Sequence, residues 1–158
     1  MRFITLVVVV VVGSTVLARE ASAQEVRFTG FAGGGATSDM NGQRYPTLGG
    51  GVLVEPGVRW LALGAQGETF FQWPYFTGRG ALFAQGNLLP DSPVRPIIIA
   101  GYGFGEDSGP VIGAGFEARS INGKGPGVRF TVEDFIVRRN RFLRETGHQV
   151  AFKVAVLF

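Results

Sequence analysis

The clearest pattern in the chain is the alternation of apolar residues with others between His148 and Phe158. One parity holds Val150, Phe152, Val154, Val156 and Phe158, and the other holds Gln149, Ala151, Lys153, Ala155 and Leu157. A period of two residues is typical of a β-strand, whose successive side chains point to opposite faces. Because one face is fully apolar and the other contains a glutamine, a lysine and small residues, we interpret the apolar face as facing lipid and the other as a polar barrel interior.

Similar patterns upstream divide residues 24 to 158 into eight predicted strands. Each has about 11 to 15 residues, enough for a tilted strand to cross a bilayer. The predicted strands are 25 to 36, 45 to 55, 59 to 73, 78 to 89, 94 to 105, 110 to 120, 126 to 138 and 148 to 158. Since lipid does not tolerate an open sheet edge, the first and last strands are expected to pair. The predicted fold is therefore an all-β, eight-stranded antiparallel up-and-down transmembrane β-barrel.

Two kinds of connection alternate between these strands. Residues 55 to 57, 90 to 93 and 122 to 125 form tight polar turns, which we assign to the periplasmic end. The candidates for outer loops are 38 to 44, 74 to 79, 106 to 109 and 140 to 147. The first tight turn follows the second strand, so both ends of the predicted barrel domain are expected in the periplasm.

The first 23 residues have the features of a secretory signal peptide. Arg2 precedes an almost entirely apolar run from 3 to 12, which is too short to span a bilayer as a helix. Residues 21 to 23 fit the small-residue cleavage pattern and predict a mature chain that starts at Gln24. A membrane anchor and cleavage after Ala18 are the alternatives.

Composition and motifs exclude several other classes. The chain has no cysteine, which excludes a disulfide framework and a lipoprotein attachment site. Its formal net charge is only +3, which is not typical of a nucleic-acid-binding protein. No apolar run of about 18 residues is present, so a membrane protein made from this chain must be a barrel rather than a helical bundle. No metal cluster, phosphate loop or nucleotide motif is apparent, and we expect no metal and no cofactor.

Parity within the strands predicts which side chains face outward. The outward set upstream of the last strand is Val26, Phe28, Leu48, Val52, Val54, Leu61, Leu63, Phe71, Leu82, Leu88, Ile112, Phe116, Val128, Phe130 and Val132. Trp60 and Trp73 lie at opposite ends of the third strand, where they suit two aromatic girdles, although ordinary core or loop positions are the alternative. The fifth strand stays undecided, because Ile97, Ile98 and Ile99 follow one another.

The opposite parity collects charged side chains. The predicted interior charge network contains Arg27, Glu68, Arg79, Glu117, Arg119, Arg129, Glu133 and Lys153, with Gln66 and Gln85 between them. An eight-stranded barrel has an interior just wide enough for its own side chains, and buried charges there must be paired. We therefore expect an ion-paired plug that conducts little. Carboxylates for glycoside chemistry, or a small pore, are the alternatives.

Three segments resemble a known family of membrane barrels. The run from 95 to 105, followed by 111 to 117, looks like the paired middle strands of small outer-membrane barrels of the OmpA-like and OmpX-like superfamily. Residues 128 to 135 are similar to the penultimate strand of that family, where an arginine and an acidic residue enter the barrel. The resemblance implies an eight-stranded barrel in the outer membrane of a Gram-negative bacterium. It implies no single activity, because members serve as anchors, adhesins, resistance factors and lipid-modifying enzymes.

The resemblance also suggests partners. An ending on an aromatic residue, here Phe158, resembles the signal that the outer-membrane assembly machinery recognises. The protein is then expected to be surrounded by outer-membrane lipids. We expect a monomer and no nucleic-acid partner. Arg138, Arg139, Arg141 and Arg144 crowd the last outer connection, where guanidinium groups would suit lipopolysaccharide phosphates. A solvated basic loop is the alternative.

Two further classes remain as alternatives to a structural or surface-binding barrel without catalysis. Outer-membrane lipid A deacylases use a histidine, a serine two residues later and an acidic partner. Here the only histidine is His148 and position 150 is valine, while Ser38 and Ser108 are predicted in outer loops where nothing fixes them against the imidazole. A soluble calycin-like barrel would need the reverse arrangement, with polar residues outside and apolar residues within.

Overall fold

The computed structural model describes residues 26–38, 42–72, 74–105, 108–119, 125–138 and 146–158. These residues form eight strands: β1 (Arg27–Ser38), β2 (Arg44–Glu55), β3 (Leu61–Gln72), β4 (Tyr75–Asn87), β5 (Val94–Gly105), β6 (Gly109–Ala118), β7 (Gly127–Arg138) and β8 (Thr146–Leu157). Within these ranges there is no helix that could cross a membrane. The predicted signal peptide, residues 1 to 23, lies outside the described residues.

The strands form one closed barrel. Each strand pairs antiparallel with its neighbour in sequence, and β1 pairs with β8. The predicted all-β, eight-stranded, antiparallel up-and-down barrel is thus confirmed. We call the end that holds the β2–β3, β4–β5 and β6–β7 connections, with Val26 and Phe158, the lower end, and the opposite end the upper end.

The pairing register staggers the strands around the barrel. A line of Cα partners runs from Phe28 through Val54, Leu63, Ala84, Ala100, Ile112 and Asp134 to Val150. Phe28 lies at the lower end of β1. Val150, at the other end of this line, is hydrogen-bonded to Ser38 at the upper end of β1. Such a shift is the shear that tilted strands require in order to close. It brings residues from different strands to one level inside the barrel.

The strands extend into the segments that were predicted as outer loops. Residues 75 to 79 belong to β4, because Phe71 pairs with Phe76 and Gln72 with Tyr75 in a tight hairpin. Ser38 and Arg44 are strand residues that pair with each other. β8 likewise begins at Thr146 rather than His148. The loop prediction was wrong here because polar and glycine residues that are typical of loops also fit strand ends, where solvent is close.

The faces of the strands follow the alternation. None of the residues predicted to face outward is buried, and Phe28 and Leu82 are 73% and 59% exposed. The structure also decides the undetermined fifth strand: Ile97 and Ile99 are 1% and 4% exposed and point inward, whereas Ile98 is 51% exposed. Trp60 is exposed near the lower end, and Trp73 lies outside the described residues.

The interior is less polar than predicted. Two buried apolar clusters pack inside the barrel beside the charged residues. One contains Phe31, Leu53, Phe83, Ile97, Ile99, Ala155 and Leu157, and the other Ala81, Val111, Phe135, Val137 and Ala151. The prediction of a polar interior was therefore incomplete. A narrow barrel leaves space for side chains of either kind, and apolar side chains fill that space without needing hydrogen-bond partners.

Candidate functional site: the charged barrel interior

One group of charged side chains lies in the upper half of the interior. We call Glu68, Arg79, Glu133 and Lys153 the upper cluster. The Arg79 Nε donates to Glu68 Oε1, and Lys153 Nζ lies 2.8 Å from both Glu68 Oε2 and Glu133 Oε2. The side chains of Glu68 and Glu133 are only 5% and 1% exposed. Two carboxylates and two cations therefore neutralise each other in a nearly dry space.

Neutral groups complete the upper cluster. Gln66 Nε2 and Thr131 Oγ1 donate to Glu133 at 2.7 and 3.1 Å. The two Nη atoms of Arg79 donate to Gln149 Oε1 at 2.8 Å and to Thr37 Oγ1 at 3.2 Å. The guanidinium also stacks on Phe135, 3.3 Å from the ring centroid. These contacts fix the cluster's geometry, which is what a structural plug requires.

A second group surrounds Glu117 in the lower half. Arg129 Nη1 and Gln85 Nε2 donate to Glu117 Oε1 at 2.8 and 3.1 Å. Arg119 donates to Glu117 Oε2 through Nε at 3.1 Å and Nη2 at 2.8 Å. The carboxylate of Glu117 thus accepts four hydrogen bonds while the residue is 0% exposed. Charge-assisted hydrogen bonds of this kind hold the two arginines and the carboxylate in one fixed arrangement.

Glu55 and Arg95 extend this lower group, and sequence reasoning missed both. Glu55 Oε1 lies 3.1 Å from Arg119 Nη1 and 3.8 Å from Arg95 Nη1. The sequence pattern places Glu55 in a tight turn, and it cannot place Arg95 while the facing of β5 is undecided. The one signal available is parity, because Arg95 shares the inward parity of Ile97 and Ile99.

Arg27 does not join the network in the way that was predicted. It is exposed at the lower end of β1, opposite Glu55 in the β1–β2 register. No ion pair connects it to any charged residue in the described part of the chain. The reason is its position: β1 begins at Arg27, so its side chain lies at the rim rather than inside.

A small cavity lies between the two groups. Its volume is about 30 Å³, and its polar lining includes Gln66, Glu68, Arg129, Glu133 and Lys153. The Nη2 atom of Arg129 is buried and has no hydrogen-bond partner among the described residues. The cavity is large enough for a water molecule but far too small for a continuous channel. Gly33, Gly34, Gly49, Gly50 and Gly67 also line it.

The only histidine has a carboxylate partner. His148 Nδ1 lies 2.7 Å from Asp134 Oδ2, and the His148 side chain is 62% exposed. Ser38, predicted in a loop, ends β1, and its hydroxyl donates to the Val150 carbonyl at 3.3 Å and accepts from the Val150 amide at 3.2 Å. Ser38 is therefore fixed against the backbone of Val150, and no hydrogen bond between Ser38 and the imidazole is found among the described residues. Its hydrogen is nevertheless directed to a backbone oxygen, whereas nucleophilic catalysis needs it directed to the imidazole.

Phe158 lies at the seam where the barrel closes. Its backbone N and O both form 2.9 Å hydrogen bonds with Gly30. Its ring lies directly over Gly30, where a Cβ would collide with it, and the residue remains 71% exposed. The folded protein thus uses Phe158 to hold β1 against the end of β8.

The predicted lipopolysaccharide contact lies almost wholly outside the described residues. Arg139, Arg141 and Arg144 fall there, and Arg138 is the last residue of β7, of whose side chain nothing is described. The described ranges contain no group of three or more His, Cys, Asp or Glu residues that could hold a metal ion.

Comparisons of the chain with protein-family models, with curated proteins and with solved structures found no match. The function of the protein is therefore inferred from the geometry of the barrel itself.

Proposed function

We propose that this protein is an outer-membrane β-barrel of a Gram-negative bacterium, with a structural or surface-binding role and an interior plugged by its own side chains. The observation that carries the proposal is the inverted distribution of polarity. Every strand exposes large apolar side chains, while Glu117, Arg129 and Glu133 are at most 2% exposed inside. A soluble monomer seldom exposes apolar patches larger than a few hundred Å². An apolar exterior around a closed barrel is the arrangement that lipid requires.

Fractionation of cells that express the full chain tests this membrane address. We expect the protein in outer-membrane fractions, released only by detergent, with heat-modifiable migration on gels. A soluble calycin-like barrel would instead appear in the aqueous fraction without detergent. N-terminal sequencing of the membrane-extracted protein checks the proposed signal peptide, for which we expect a start at Gln24.

The two charged groups and the two apolar clusters inside the barrel support a plug rather than a small pore. Planar-bilayer recording with the purified wild-type protein tests this part of the proposal. We expect little conductance, because the interior of an eight-stranded barrel is just wide enough for its own side chains. A large and steady single-channel conductance would contradict the plug and favour the pore.

Phe158 is proposed as the assembly signal, and its exposed position on the seam is compatible with that role. Phe158→Ala should reduce the amount of inserted protein in cells but leave refolding in detergent largely intact. Phe152→Ala removes an exposed phenylalanine from the same face of β8 and is the matched control. Equal insertion of both variants in cells would argue against the signal.

The surface-binding role is proposed for Arg138, Arg139, Arg141 and Arg144. Guanidinium forks suit the phosphate oxygens of lipopolysaccharide, which lie where the last upper connection is proposed to be. Neutralising all four should weaken binding of the purified barrel to lipopolysaccharide. Unchanged binding would leave the solvated basic loop as the better explanation.

One observation supports a lipid A-modifying enzyme as a second candidate. Asp134 orients His148 on the outward surface of β8. Val150 follows His148 by two residues on the same face of β8, and Ser38 is hydrogen-bonded to its backbone. Mass spectrometry of lipid A from cells that express the wild type or His148→Ala tests it. A loss of acyl chains that depends on His148 would overturn the non-catalytic proposal.

A further inference from the structure

The described side chains at the lower end of the barrel include more cations than carboxylates. We define the lower mouth as Arg27, Arg95, Arg119, Arg129, Glu55 and Glu117. Four guanidinium groups thus face two carboxylates. Both oxygens of Glu117 are occupied by Arg129, Arg119 and Gln85, so Glu55 is the remaining carboxylate.

Of the arginines that pair with these carboxylates, Arg95 has the longest ion-pair distance. Its closest ionic contact is the 3.8 Å separation from Glu55, which is beyond hydrogen-bond distance. Its Nε atom is buried and has no hydrogen-bond partner among the described residues. Arg119 and Arg27 repel it, whereas Glu55 and Glu117 attract it. Glu55 Oε1 is likewise buried without a hydrogen-bond partner among the described residues, but at 3.8 Å it is too far from Arg95 to accept from it. Arg95 thus has a buried donor without an acceptor in a mouth that holds two more cations than carboxylates, and the oxygens of an anion would supply that acceptor.

The lower mouth is also accessible. Arg27 is exposed at the rim, and the Arg95 side chain is 17% exposed. Glu55 and Arg119, which lie beside Arg95, are 13% and 9% exposed. Arg27 is thus the most exposed cation of the lower mouth, and Arg95 is the next most exposed. The fully buried Glu117 and Arg129 lie behind them.

We propose that the lower mouth binds an oxyanion, a phosphate or a carboxylate group, with Arg95 as the principal donor and Arg27 and Arg119 as supporting charges. The planar fork of a guanidinium matches two oxygens of such a group. The upper cluster lacks this property, because its two carboxylates and two cations already neutralise each other. The oxyanion site depends on the barrel fold and not on the proposed membrane address.

Thermal unfolding of the refolded full chain in detergent micelles tests the proposal. Sodium phosphate is titrated against sodium chloride at constant ionic strength, and sodium acetate serves as a second arm. A ligand that binds only the folded state raises the unfolding temperature, and the shift grows with the logarithm of its concentration once that exceeds Kd. We expect a shift with at least one oxyanion and none with chloride. A shift with phosphate alone identifies a phosphate ligand, and one with acetate alone a carboxylate.

Variants locate the effect. Arg95→Gln should weaken oxyanion binding by about tenfold or more, the loss expected for charge-assisted hydrogen bonds. Arg59→Gln is the matched control, because Arg59 lies at the same end in an exposed pair with Asp91 and should retain wild-type binding. Arg27→Gln removes an exposed cation without disturbing the interior and should weaken binding several-fold. The proposal is overturned if chloride shifts the wild type as much as either oxyanion, or if Arg95→Gln and Arg59→Gln bind alike. Should Arg95→Gln fail to fold, wild-type binding by Arg27→Gln overturns it equally.

Discussion

The upper cluster and the lower mouth are built from the same residue types but differ in charge balance. In the upper cluster, Lys153 bridges Glu68 and Glu133, and Arg79 completes a neutral set of four. In the lower mouth, Glu117 is fully used by its neighbours, and Arg95 keeps a buried donor without a partner among the described residues. The proposed plug depends on the equal numbers of opposite charges in the upper cluster. The proposed oxyanion site depends on the excess of cations in the lower mouth.

The two regions also differ in what surrounds the charges. Thr37, Gln66, Thr131 and Gln149 supply neutral hydrogen-bonding groups to the upper cluster. The lower mouth has Gln85 between Glu117 and Arg129, but the described residues supply nothing comparable beside Arg95. Fully satisfied polar networks stabilise a fold, whereas each buried member without a partner costs free energy.

The largest effect is expected from removing the carboxylate at the centre of the lower group. Glu117→Ala leaves Arg119 and Arg129 without their shared partner in the interior and should lower the free energy of unfolding by about 3 to 5 kcal/mol. Denaturant unfolding in detergent measures it. Asp91→Ala is the control, because it breaks an ion pair whose side chains are 71% and 76% exposed, and should cost less than about 1 kcal/mol. Equal losses for the two variants would mean that Glu117 is not buried among charges.

The contrast between the regions is tested most directly by the same substitution in each. Arg79→Met leaves Glu68 short of a cation and should cost about 3 kcal/mol, because a buried pair is broken. Arg95→Met removes a surplus cation and should cost less than about 1 kcal/mol in buffer without phosphate or acetate. Both are measured by denaturant unfolding. If Arg95→Met destabilises as much as Arg79→Met, the lower mouth is balanced and the contrast fails.

A smaller effect should sharpen the description of the upper cluster. Thr131→Val keeps the shape of the side chain but removes the 3.1 Å hydrogen bond to Glu133 Oε1. A hydrogen bond to a charged group contributes about 1.5 to 3 kcal/mol, and we expect a loss near the lower limit because Lys153 and Gln66 still hold the other oxygen. Thr69→Val, on the exposed face of β3, is the control and should be nearly neutral. A neutral Thr131→Val would show that this contact contributes nothing to the plug.

The sequence by itself determined the number of strands and the faces of most of them. A period of two residues places alternate side chains on opposite faces, so the alternation alone assigns Phe152 and Val154 to one face and Lys153 to the other. The same reasoning selects most of the interior charges. Parity does not assign the faces of β5, because Ile97, Ile98 and Ile99 are three consecutive apolar residues without alternation. Arg95 lies in the same strand, so its inward position was not predicted either.

Only the tertiary structure decided how the charges are divided. Glu68 lies opposite Arg79 across β3 and β4, and Glu117 lies opposite Arg129 across β6 and β7. These partners depend on register, which in turn depends on hairpin geometry that polar turn sequences did not reveal. The stagger of the closed barrel then sets which strands meet at each level, and thereby separates a neutral upper cluster from a cationic lower mouth. Closure of the barrel pairs β1 with β8, which are far apart in the chain, and a local sequence pattern does not predict the register of that pairing.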